Sequence, residues 1–473
     1  MENQMLMILL IVYTASVCLM GLKFRKNQNS EEYFLASRRL PSWLLSITFV
    51  ASWWGGGSAI DLVDMANRDG ISTYWIYGVP VLLSTALMYL LADKIRAVGT
   101  LSQPELMERR YDSRSAFMLT IFILIFMVVG SAVQVIVIGS FFESFFGMSY
   151  STGAILGTSM VIIYSMFGGF KGVVMTDLAQ FCLFLIAALL LFVVAYNRAD
   201  GFGGMLTAIE EGGSREGFTS IFHNISDNIA YVITFGTSWM VQANVWQRIS
   251  AAKTPRSAKR MMGISFLLFI PLYMVVTLTG MLSIVSYDVV PAGGIVAAMI
   301  QSLDSPIIVG LLFLGLCSAI MSTMDSMFNT GAMSLTIDIY KRYICPDGEP
   351  QRYVNVGRLS TLLVALLSLF IGLNIRSVIT VSWIGADFIA SGAFVPLVAA
   401  FVWRRGNSRA AFASMIFGLL FSSYHFVAAL WTTLPTAWEV ASVTHSIVGI
   451  LISTLIYISV SLLAPDKRFL DRL

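Results

Sequence analysis

The chain has 473 residues, of which 57% are hydrophobic and only 12% are charged. Soluble domains carry about 25% charged residues, so this composition excludes a soluble enzyme or binding domain. The net charge of +3 gives no indication of a nucleic-acid partner. Apolar runs of about 20 residues recur along the chain, and they predict an all-α polytopic protein of the cell membrane, in contact with the lipid bilayer.

Thirteen apolar segments predict thirteen transmembrane helices. They are 4–22, 42–66, 73–93, 115–141, 149–167, 174–196, 229–247, 261–285, 306–340, 357–374, 378–403, 411–431 and 440–463. With the N-terminus outside and the C-terminus in the cytoplasm, 26 of the 30 Lys and Arg residues fall on the cytoplasmic side. Because a missed span would invert every later loop, this asymmetry favours thirteen helices in an N-out/C-in orientation.

The spans divide into two blocks of five helices, 42–196 and 229–403. Since each block holds an odd number of helices, the second begins on the opposite side of the membrane, which is the geometry of a 5+5 inverted repeat. One extra N-terminal span, 4–22, precedes the blocks, and two extra C-terminal spans, 411–463, follow them. We therefore expect a single transmembrane transporter domain over 1–473.

Span two carries three consecutive glycines, Gly55, Gly56 and Gly57, at mid-membrane depth. Glycine costs about 1 kcal/mol relative to alanine in a helix interior, so the triplet predicts a break in the helix. Unwound backbone inside a membrane is tolerated where it lines a cavity, and its free carbonyls suit a small cation. The exposed N-terminus of the second half-helix suits an anionic group. The alternative is a close helix–helix contact that needs small residues.

Span nine contains the polar stretch "SAIMSTMDSMFNT" (318–330). Ala319, Ser322, Thr323 and Ser326 follow the i, i+3, i+4, i+7 spacing of one helix face, and Asp325 flanks them. Hydroxyls that bond back to their own helix would explain the serine and threonine. They do not explain the aspartate, because an intramembrane carboxylate is costly and indicates function by default. Hydroxyls and carbonyls together predict a hard-oxygen site for a cation such as Na⁺.

A third polar element, "YSMFGGFKGVVMTDLAQF" (164–181), places Asp177 beside Thr176 at the start of span six. Asp177 is either a functional carboxylate or a boundary residue exposed to the cytoplasm. The chain has only three histidines, and its four cysteines lack the CxxC spacing of a metal or redox site. No nucleophile–base pair is visible, so we do not expect an enzyme.

Several stretches resemble the solute:sodium symporter family, whose members have the LeuT-type inverted-repeat fold. The resemblance covers roughly residues 20–410. The matching stretches are "SEEYFLASRRLP" (30–41), "ASWWGGGSA" (51–59), "TLSQPELMERRYD" (100–112), "FGGFKGVVMTD" (167–177), "WQRISAAKTPRSAKR" (246–260) and "LGLCSAIMSTMDS" (314–326). This resemblance implies Na⁺ as the coupling ion.

The resemblance also implies sodium-site residues by position. The main site of the family uses backbone carbonyls of the broken helix and of span nine, together with two adjacent hydroxyls. In this sequence its residues are Ala51, Trp54, Ala319, Ser322 and Thr323. Some members bind a second sodium nearer the cytoplasm. The residues of that possible second site are Asp177, Asp325 and Ser326.

Within the family, "ASWWGGG" and "WQR" resemble the choline-transporter branch. Choline recognition needs an aromatic cage, and although Trp53 matches one cage position, Gly130 and Val241 stand at two others. The cage is therefore incomplete. The substrate pocket is instead predicted to involve Trp53, Gly55, Gly56, Gly57, Tyr77, Gln134, Trp239, Gln242 and Asn244.

Two further residues have open roles. Asp61, about a turn beyond the glycines, either pairs with a cationic substrate or tunes the outer mouth of the pocket. His425, in span twelve, is predicted to be a packing or lipid-interface residue.

Together these features predict a sodium-coupled secondary active symporter that imports a small polar organic solute by alternating access. An amino acid, a carboxylate and a choline-like or other organic amine all remain open as the solute. The alternative function is a membrane solute sensor of the same fold, which we expect to need a separate signalling partner. A proton could replace sodium, but ligation by hydroxyls and carbonyls favours a metal ion.

Overall fold

The computed structural model describes residues 2–23, 30–212, 215–430 and 443–464. Within these ranges the chain is almost entirely helical, and strand pairing is limited to one isolated bridge between Leu40 and Ala252. Ten helices of the described chain are long and apolar enough to cross a membrane. The all-α polytopic fold class is thereby confirmed, whereas the count of thirteen spans and the N-out/C-in orientation stay predictions.

Nineteen α-helices are numbered here in chain order. They are α1 (Glu2–Lys23), α2 (Ser30–Leu35), α3 (Ser42–Trp53), α4 (Leu62–Asp69), α5 (Gly78–Val98), α6 (Gln103–Arg110), α7 (Ser113–Phe146), α8 (Tyr150–Arg198), α9 (Gly201–Gly212), α10 (Ile225–Met240), α11 (Ala243–Ala251), α12 (Pro255–Leu282), α13 (Ile295–Gln301), α14 (Pro306–Met333), α15 (Pro350–Asn374), α16 (Val378–Ile389), α17 (Val395–Val402), α18 (Ser408–Leu430) and α19 (Val443–Leu463). Within the described residues, π-helical segments occupy Gly57–Asp61, Ser334–Ile344 and Ala390–Phe394. Short 3₁₀ segments occupy Ala36–Arg38, Gly70–Trp75 and Ser283–Val285.

Helix α8 is interrupted near its middle. Its 49 residues would extend about 74 Å at 1.5 Å per residue, more than twice the hydrocarbon thickness of a bilayer. Gly169 adopts φ +56° inside it, a backbone conformation that glycine reaches without steric cost. The two predicted spans 149–167 and 174–196 therefore lie on either side of this non-helical residue.

Two further helices are broken where they pass the centre of the protein. Helix α3 ends at Trp53, Trp54 adopts φ −87° and ψ 70°, and helical structure resumes as the π segment at Gly57. The glycine triplet predicted this break. A second break separates α10 from α11 at Val241 and Gln242. No glycine or proline marks that position, so hydrophobic periodicity alone did not reveal it.

Helix α14 is deeply enclosed over most of its length, and every residue from Gly315 to Met333 is buried. It packs against α1, α3, α7, α8 and α15. A helix buried on all sides can carry polar groups that face protein rather than lipid. The polar stretch of span nine consequently faces neighbouring helices, and the broken helix α3–α4 is one of them.

Candidate sodium and solute site

Four neutral oxygens meet where the end of α3 touches α14. The Ser322 hydroxyl lies 2.9 Å from the Ala51 carbonyl oxygen and 3.1 Å from that of Ala319. The Thr323 hydroxyl lies 3.4 Å and 3.2 Å from the same two oxygens. We call this group, Ala51, Ala319, Ser322 and Thr323, the oxygen cluster. Its two hydroxyls lie on the fully buried stretch Gly315–Met333 of α14, so their geometry is set by packing on every side.

Trp54, the fifth residue of the predicted main site, is not joined to the oxygen cluster by a hydrogen bond among the described residues. It lies at the helix break itself, and its indole packs on Phe184 with ring centroids 4.7 Å apart. The cluster fits Na⁺ chemically, because hydroxyl and carbonyl oxygens are hard ligands and no described member of the cluster carries a charge that would repel a cation.

A small cavity of about 80 Å³ lies beside the oxygen cluster, between the two broken helices. Thr323 belongs to both the cavity wall and the cluster. The predicted pocket residues that line the cavity are Trp53, Gly55, Gly57, Tyr77, Gln134, Trp239 and Gln242. The lining residues that the sequence did not single out include Ser52, Ser58, Phe126, Tyr273, Met327, Ser382 and Gly385. Their positions within apolar spans resemble those of ordinary core residues, so they carried no distinguishing signal.

Two residues predicted for the pocket lie outside the cavity wall. Gly56 faces α7, since a Cβ added there would meet Val137 at 2.5 Å, and its amide donates to the Gln134 side-chain oxygen at 2.9 Å. Asn244 is buried, and its carbonyl accepts a hydrogen bond from Arg248 at 3.1 Å. Gly56 and Asn244 therefore support neighbouring groups rather than line the cavity.

Aromatic rings form one side of the cavity. Trp53 and Trp239 lie with ring centroids 5.8 Å apart, and Tyr77 stacks on Trp239 at 6.2 Å. The Trp53 indole N–H donates to the side-chain oxygen of Gln242, which ties the first broken helix to the second. Among the described residues that line the cavity, none has a charged side chain.

Gly55 lies between the cavity and the oxygen cluster. A Cβ at this position would stand 2.7 Å from the Gln134 side-chain oxygen and 2.7 Å from the Thr323 hydroxyl. A side chain here would displace one group of the cavity and one of the cluster at once. The sequence offered two interpretations of the glycine triplet, a helix break and a close contact between helices. The structure shows both, since the helix is interrupted here and Gly55 allows Gln134 and Thr323 to lie close to the backbone.

A second polar group is centred on Arg248 of α11. It contacts α14 at Ser326, about one helical turn beyond Ser322. Arg248 directly follows the predicted span 229–247, and its side chain is fully buried within α11. The guanidinium lies 3.2 Å from an Asp177 carboxylate oxygen, 3.0 Å from the Thr48 hydroxyl and 2.8 Å from the Ser326 hydroxyl. Thr48 also donates to Asp177. We call Arg248, Asp177, Thr48 and Ser326 the charged cluster.

The charged cluster bears on the predicted second sodium site. Asp177 is fully buried, so the alternative of an exposed boundary residue was wrong. Asp177 and Ser326 both contact the guanidinium of Arg248, whereas Asp325 does not join them. Asp325 is buried, and neither of its carboxylate oxygens has a hydrogen-bond partner among the described residues. No local pattern distinguishes Arg248, because it begins a basic stretch that resembles a loop.

Asp61 lies beside the cavity, in a separate vestibule that it lines with Asp64, Glu143 and Arg376. The Tyr77 hydroxyl donates to the Asp61 carboxylate at 3.4 Å. Because Tyr77 also lines the first cavity, it lies between the two. Both predicted roles of Asp61, as partner of a cationic substrate or as a residue that tunes the outer mouth, stay predictions.

A helix broken beside a central cavity, opposite a buried helix rich in hydroxyls, is the arrangement of secondary transporters built on discontinuous helices. The chain belongs to the sodium:solute symporter family, whose family model matches residues 33–418. This confirms the predicted family, a membrane transporter rather than an enzyme, and Na⁺ as the coupling ion. The protein is a multi-pass integral protein of the cell membrane.

Proline transporters are among its relatives. The chain is 26% identical over 425 residues to the osmoregulated proline transporter OpuE of Bacillus subtilis, with 86% of each chain covered. It is 27% identical over 433 residues to the sodium/proline symporter of Escherichia coli K12, with 86% of this chain and 85% of that protein covered.

Its fold is similar to that of a solved Na⁺-coupled sialic acid symporter in a substrate-bound outward-open state. The TM-score is 0.84, with 19% sequence identity and 98% of each chain covered. The helical transporter fold predicted from the sequence is therefore confirmed.

Proposed function

We propose that the protein imports a small organic solute together with Na⁺ by alternating access. The observation that carries this proposal is the position of Thr323, which belongs both to the oxygen cluster and to the solute cavity. A ligand shifts a conformational equilibrium only if it binds the two states unequally. Because Thr323 and Gly55 are shared, sodium and solute each act on the same contact between α3 and α14.

The main sodium site in this proposal comprises Ala51, Trp54, Ala319, Ser322 and Thr323. Four of these residues contact one another through neutral oxygens. One positive charge that moves inward through about 100 mV releases roughly 2.3 kcal/mol, before the concentration gradient is added. Bound Na⁺ would supply positive charge beside the uncharged wall of the cavity.

The second sodium site at Asp177, Asp325 and Ser326 stays a prediction. A sodium ion there would share Asp177 with the guanidinium of Arg248. Asp325 would then be the carboxylate whose charge is not already balanced by a neighbouring cation in contact.

The proposed domain organisation is the 5+5 inverted repeat, 42–196 and 229–403, with 4–22 before it and 411–463 after it. Both breaks described above fall in the first span of a predicted block. The first is at Trp54 in 42–66, and the second is at Val241 and Gln242 in 229–247. Paired discontinuous helices at corresponding positions of two repeats are typical of transporters with a substrate site at the midplane.

Two glutamine side chains support a carboxylate as the recognised group of the solute. The side-chain oxygen of Gln134 accepts from the Gly56 amide, and that of Gln242 accepts from the Trp53 indole. Both side chains line the cavity, and their oxygens are already engaged, so their NH₂ groups are the ends left to bind a solute. NH₂ groups are donors only, and they match the acceptor oxygens of a carboxylate. An amino acid or a simple carboxylate therefore fits better than choline.

A thermal-shift screen of the purified protein tests this function. Matched pairs such as L-proline and L-prolinamide would be compared in Na⁺ and in K⁺. We expect carboxylates to stabilise the protein only in Na⁺, by about 2.7 kcal/mol at a hundred times the dissociation constant, and the paired carboxamides not to do so. Equal stabilisation in K⁺ would contradict sodium coupling. Stabilisation by amines or carboxamides alone would contradict the solute class.

A further inference from the structure

A third polar group lies outside both clusters, where the two C-terminal helices meet α16. Asp387 of α16, His425 of α18 and His445 of α19 are all buried. Of the two alternatives predicted for His425, packing or the lipid interface, its buried ring corresponds to packing. We call these three residues the histidine cluster.

The histidine cluster is closely spaced. The His445 Nε2 atom lies 3.3 Å from a carboxylate oxygen of Asp387, and the Ser446 hydroxyl donates to the other oxygen at 2.6 Å. The rings of His425 and His445 stack with centroids 3.9 Å apart. Phe421 packs on both rings, at 4.5 Å and 5.1 Å, so the stack is covered by an apolar surface.

Glycines hold the helices around this cluster close together. A Cβ at Gly418 of α18 would meet the Ser391 carbonyl oxygen at 2.5 Å, and a Cβ at Gly449 of α19 would contact the Ser391 hydroxyl. Ser391 belongs to the π segment Ala390–Phe394, which follows Asp387 directly. The C-terminal helices are therefore seated against the segment of chain that carries the buried carboxylate.

The charges of the cluster balance only if it holds a proton. An ionised carboxylate in a membrane helix needs a cationic partner, and His445 is the ionisable group within ion-pair distance of Asp387 among the described residues. His425 and Tyr424 of α18 are the other ionisable side chains facing the stack. From α10, which also packs here, Tyr231 contacts Trp383 rather than the cluster. From α7, Phe122 contacts the π segment at Gly392.

We propose that Asp387, His425 and His445 form an intramembrane proton-binding site that holds one proton at a time. Two stacked imidazoles cannot both be cationic at this spacing beside a single carboxylate, since the second charge would be repelled without compensation. The proton resides on the imidazole pair, and the carboxylate balances its charge. The site is distinct from the oxygen cluster, and it is defined without reference to solute or sodium.

This site is connected to the solute cavity through α16. Ser382 and Gly385, which line the cavity, lie on the same helix as Asp387. If the function proposed above is correct, uptake of a proton by the histidine cluster would alter how α16 is held against the C-terminal helices. Transport would then depend on pH over the range in which imidazole titrates.

The chain offers a direct test because it contains only three histidines. Full-length protein with ¹⁵N-labelled histidine rings in lipid nanodiscs would be titrated by NMR between about pH 5 and pH 8. We expect the ring signals of His425 and His445 to change together at one midpoint. His223→Gln serves as the control and should leave the paired signals unchanged. Rings that stay neutral throughout, or that both become fully cationic, would overturn the proposal.

Two variants, Asp387→Asn and His445→Gln, test how the Asp387 carboxylate contributes to proton binding. In Asp387→Asn the imidazole pair should remain neutral over the whole range, and in His445→Gln the midpoint of His425 should move away from that of the wild type. Unchanged titration of the pair in Asp387→Asn would overturn the proposal. If that variant does not fold, His445→Gln decides, and an unchanged His425 midpoint is the contrary result. A response to zinc that EDTA reverses, in place of the pH response, would also overturn it. These readouts do not use transport, so they fail independently of the proposed symport.

Discussion

Helix α14 takes part in two polar regions, about one helical turn apart, that solve the problem of burying polar groups in different ways. The oxygen cluster at Ser322 and Thr323 consists of neutral hydroxyls and carbonyls. The charged cluster at Ser326 contains a guanidinium and a carboxylate in contact. The oxygen cluster therefore offers neutral ligands to a cation from solution, whereas the charged cluster already contains the guanidinium of Arg248.

This difference gives the two clusters different proposed roles: the oxygen cluster binds an ion, and the charged cluster stabilises the packing of the helices. A buried ion pair adds little net stability over a well-packed apolar pair, but removal of one partner leaves a costly unpaired charge. The charged cluster joins α3, α8, α11 and α14 through Thr48, Asp177, Arg248 and Ser326. We infer that it fixes the helices between which the proposed sodium site lies.

The largest effect is expected from breaking the charged cluster. Arg248→Met leaves the Asp177 carboxylate buried without its partner, which should cost about 3–5 kcal/mol of stability. Thermal unfolding of the purified protein would measure this loss of stability. The double variant Arg248→Met with Asp177→Leu removes both charges and should recover most of it. If the single variant is as stable as the wild type, the ion pair does not support the fold.

Ser322→Ala tests the oxygen cluster. Hydrogen bonds and ligands to charged groups contribute about 1.5–3 kcal/mol, so the sodium concentration for half-maximal uptake should rise roughly 10- to 150-fold. Thermal stability without sodium should hardly change, because the hydroxyl serves a neutral cluster. Ser318→Ala, on the same helix but bonded to Tyr13, is the matched control. Equal sodium dependence in both variants would contradict a special role for Ser322.

Gly55→Ala tests the contact shared by sodium and solute. The added methyl would stand 2.7 Å from both Gln134 and Thr323, and overpacking of this kind costs about 1–3 kcal/mol. Solute affinity and sodium affinity should both fall, by about 5- to 150-fold, in thermal-shift titrations. Gly203→Ala, where nothing lies within 4 Å of the new Cβ, is the control. A change in only one of the two affinities would show that the sites are not linked through Gly55.

Gln242→Leu should have the smallest effect of the series. It removes one donor from the solute cavity and the acceptor of the Trp53 indole. We expect about a tenfold rise in the KM for the solute, equivalent to roughly 1.4 kcal/mol, with the sodium half-saturation unchanged. Uptake kinetics at saturating sodium would measure it. A shift in sodium dependence alone would place Gln242 outside the solute site.

The sequence predicted those features that produce a local signal. The low helix propensity of Gly55–Gly57 predicted a break, and the spacing of Ser322 and Thr323 predicted that their hydroxyls share one helix face. The break at Val241 and Gln242 had no such signal, because its residues are ordinary in a helix. Nothing local distinguished Arg248, since a basic residue next to a basic stretch resembles a loop. Its burial depends on Asp177, a partner 71 positions earlier in the chain.

The histidine cluster was missed for a related reason. His425 and His445 stand on different helices, and the nearest carboxylate, Asp387, lies in a third. Each residue alone looked like an isolated polar group in an apolar span. Only the packing of α18 and α19 against α16 brings the three together.

Sodium-gradient-driven uptake by the double variant Ser322→Ala with Thr323→Ala, reconstituted in proteoliposomes, tests the sodium site most directly. Both hydroxyls of the oxygen cluster are then absent, while the charged cluster keeps its residues. We predict that sodium-driven uptake is abolished while the amount of folded protein in the vesicles equals that of the wild type. Unchanged uptake at equal protein level would contradict the assignment of the coupling sodium to the oxygen cluster.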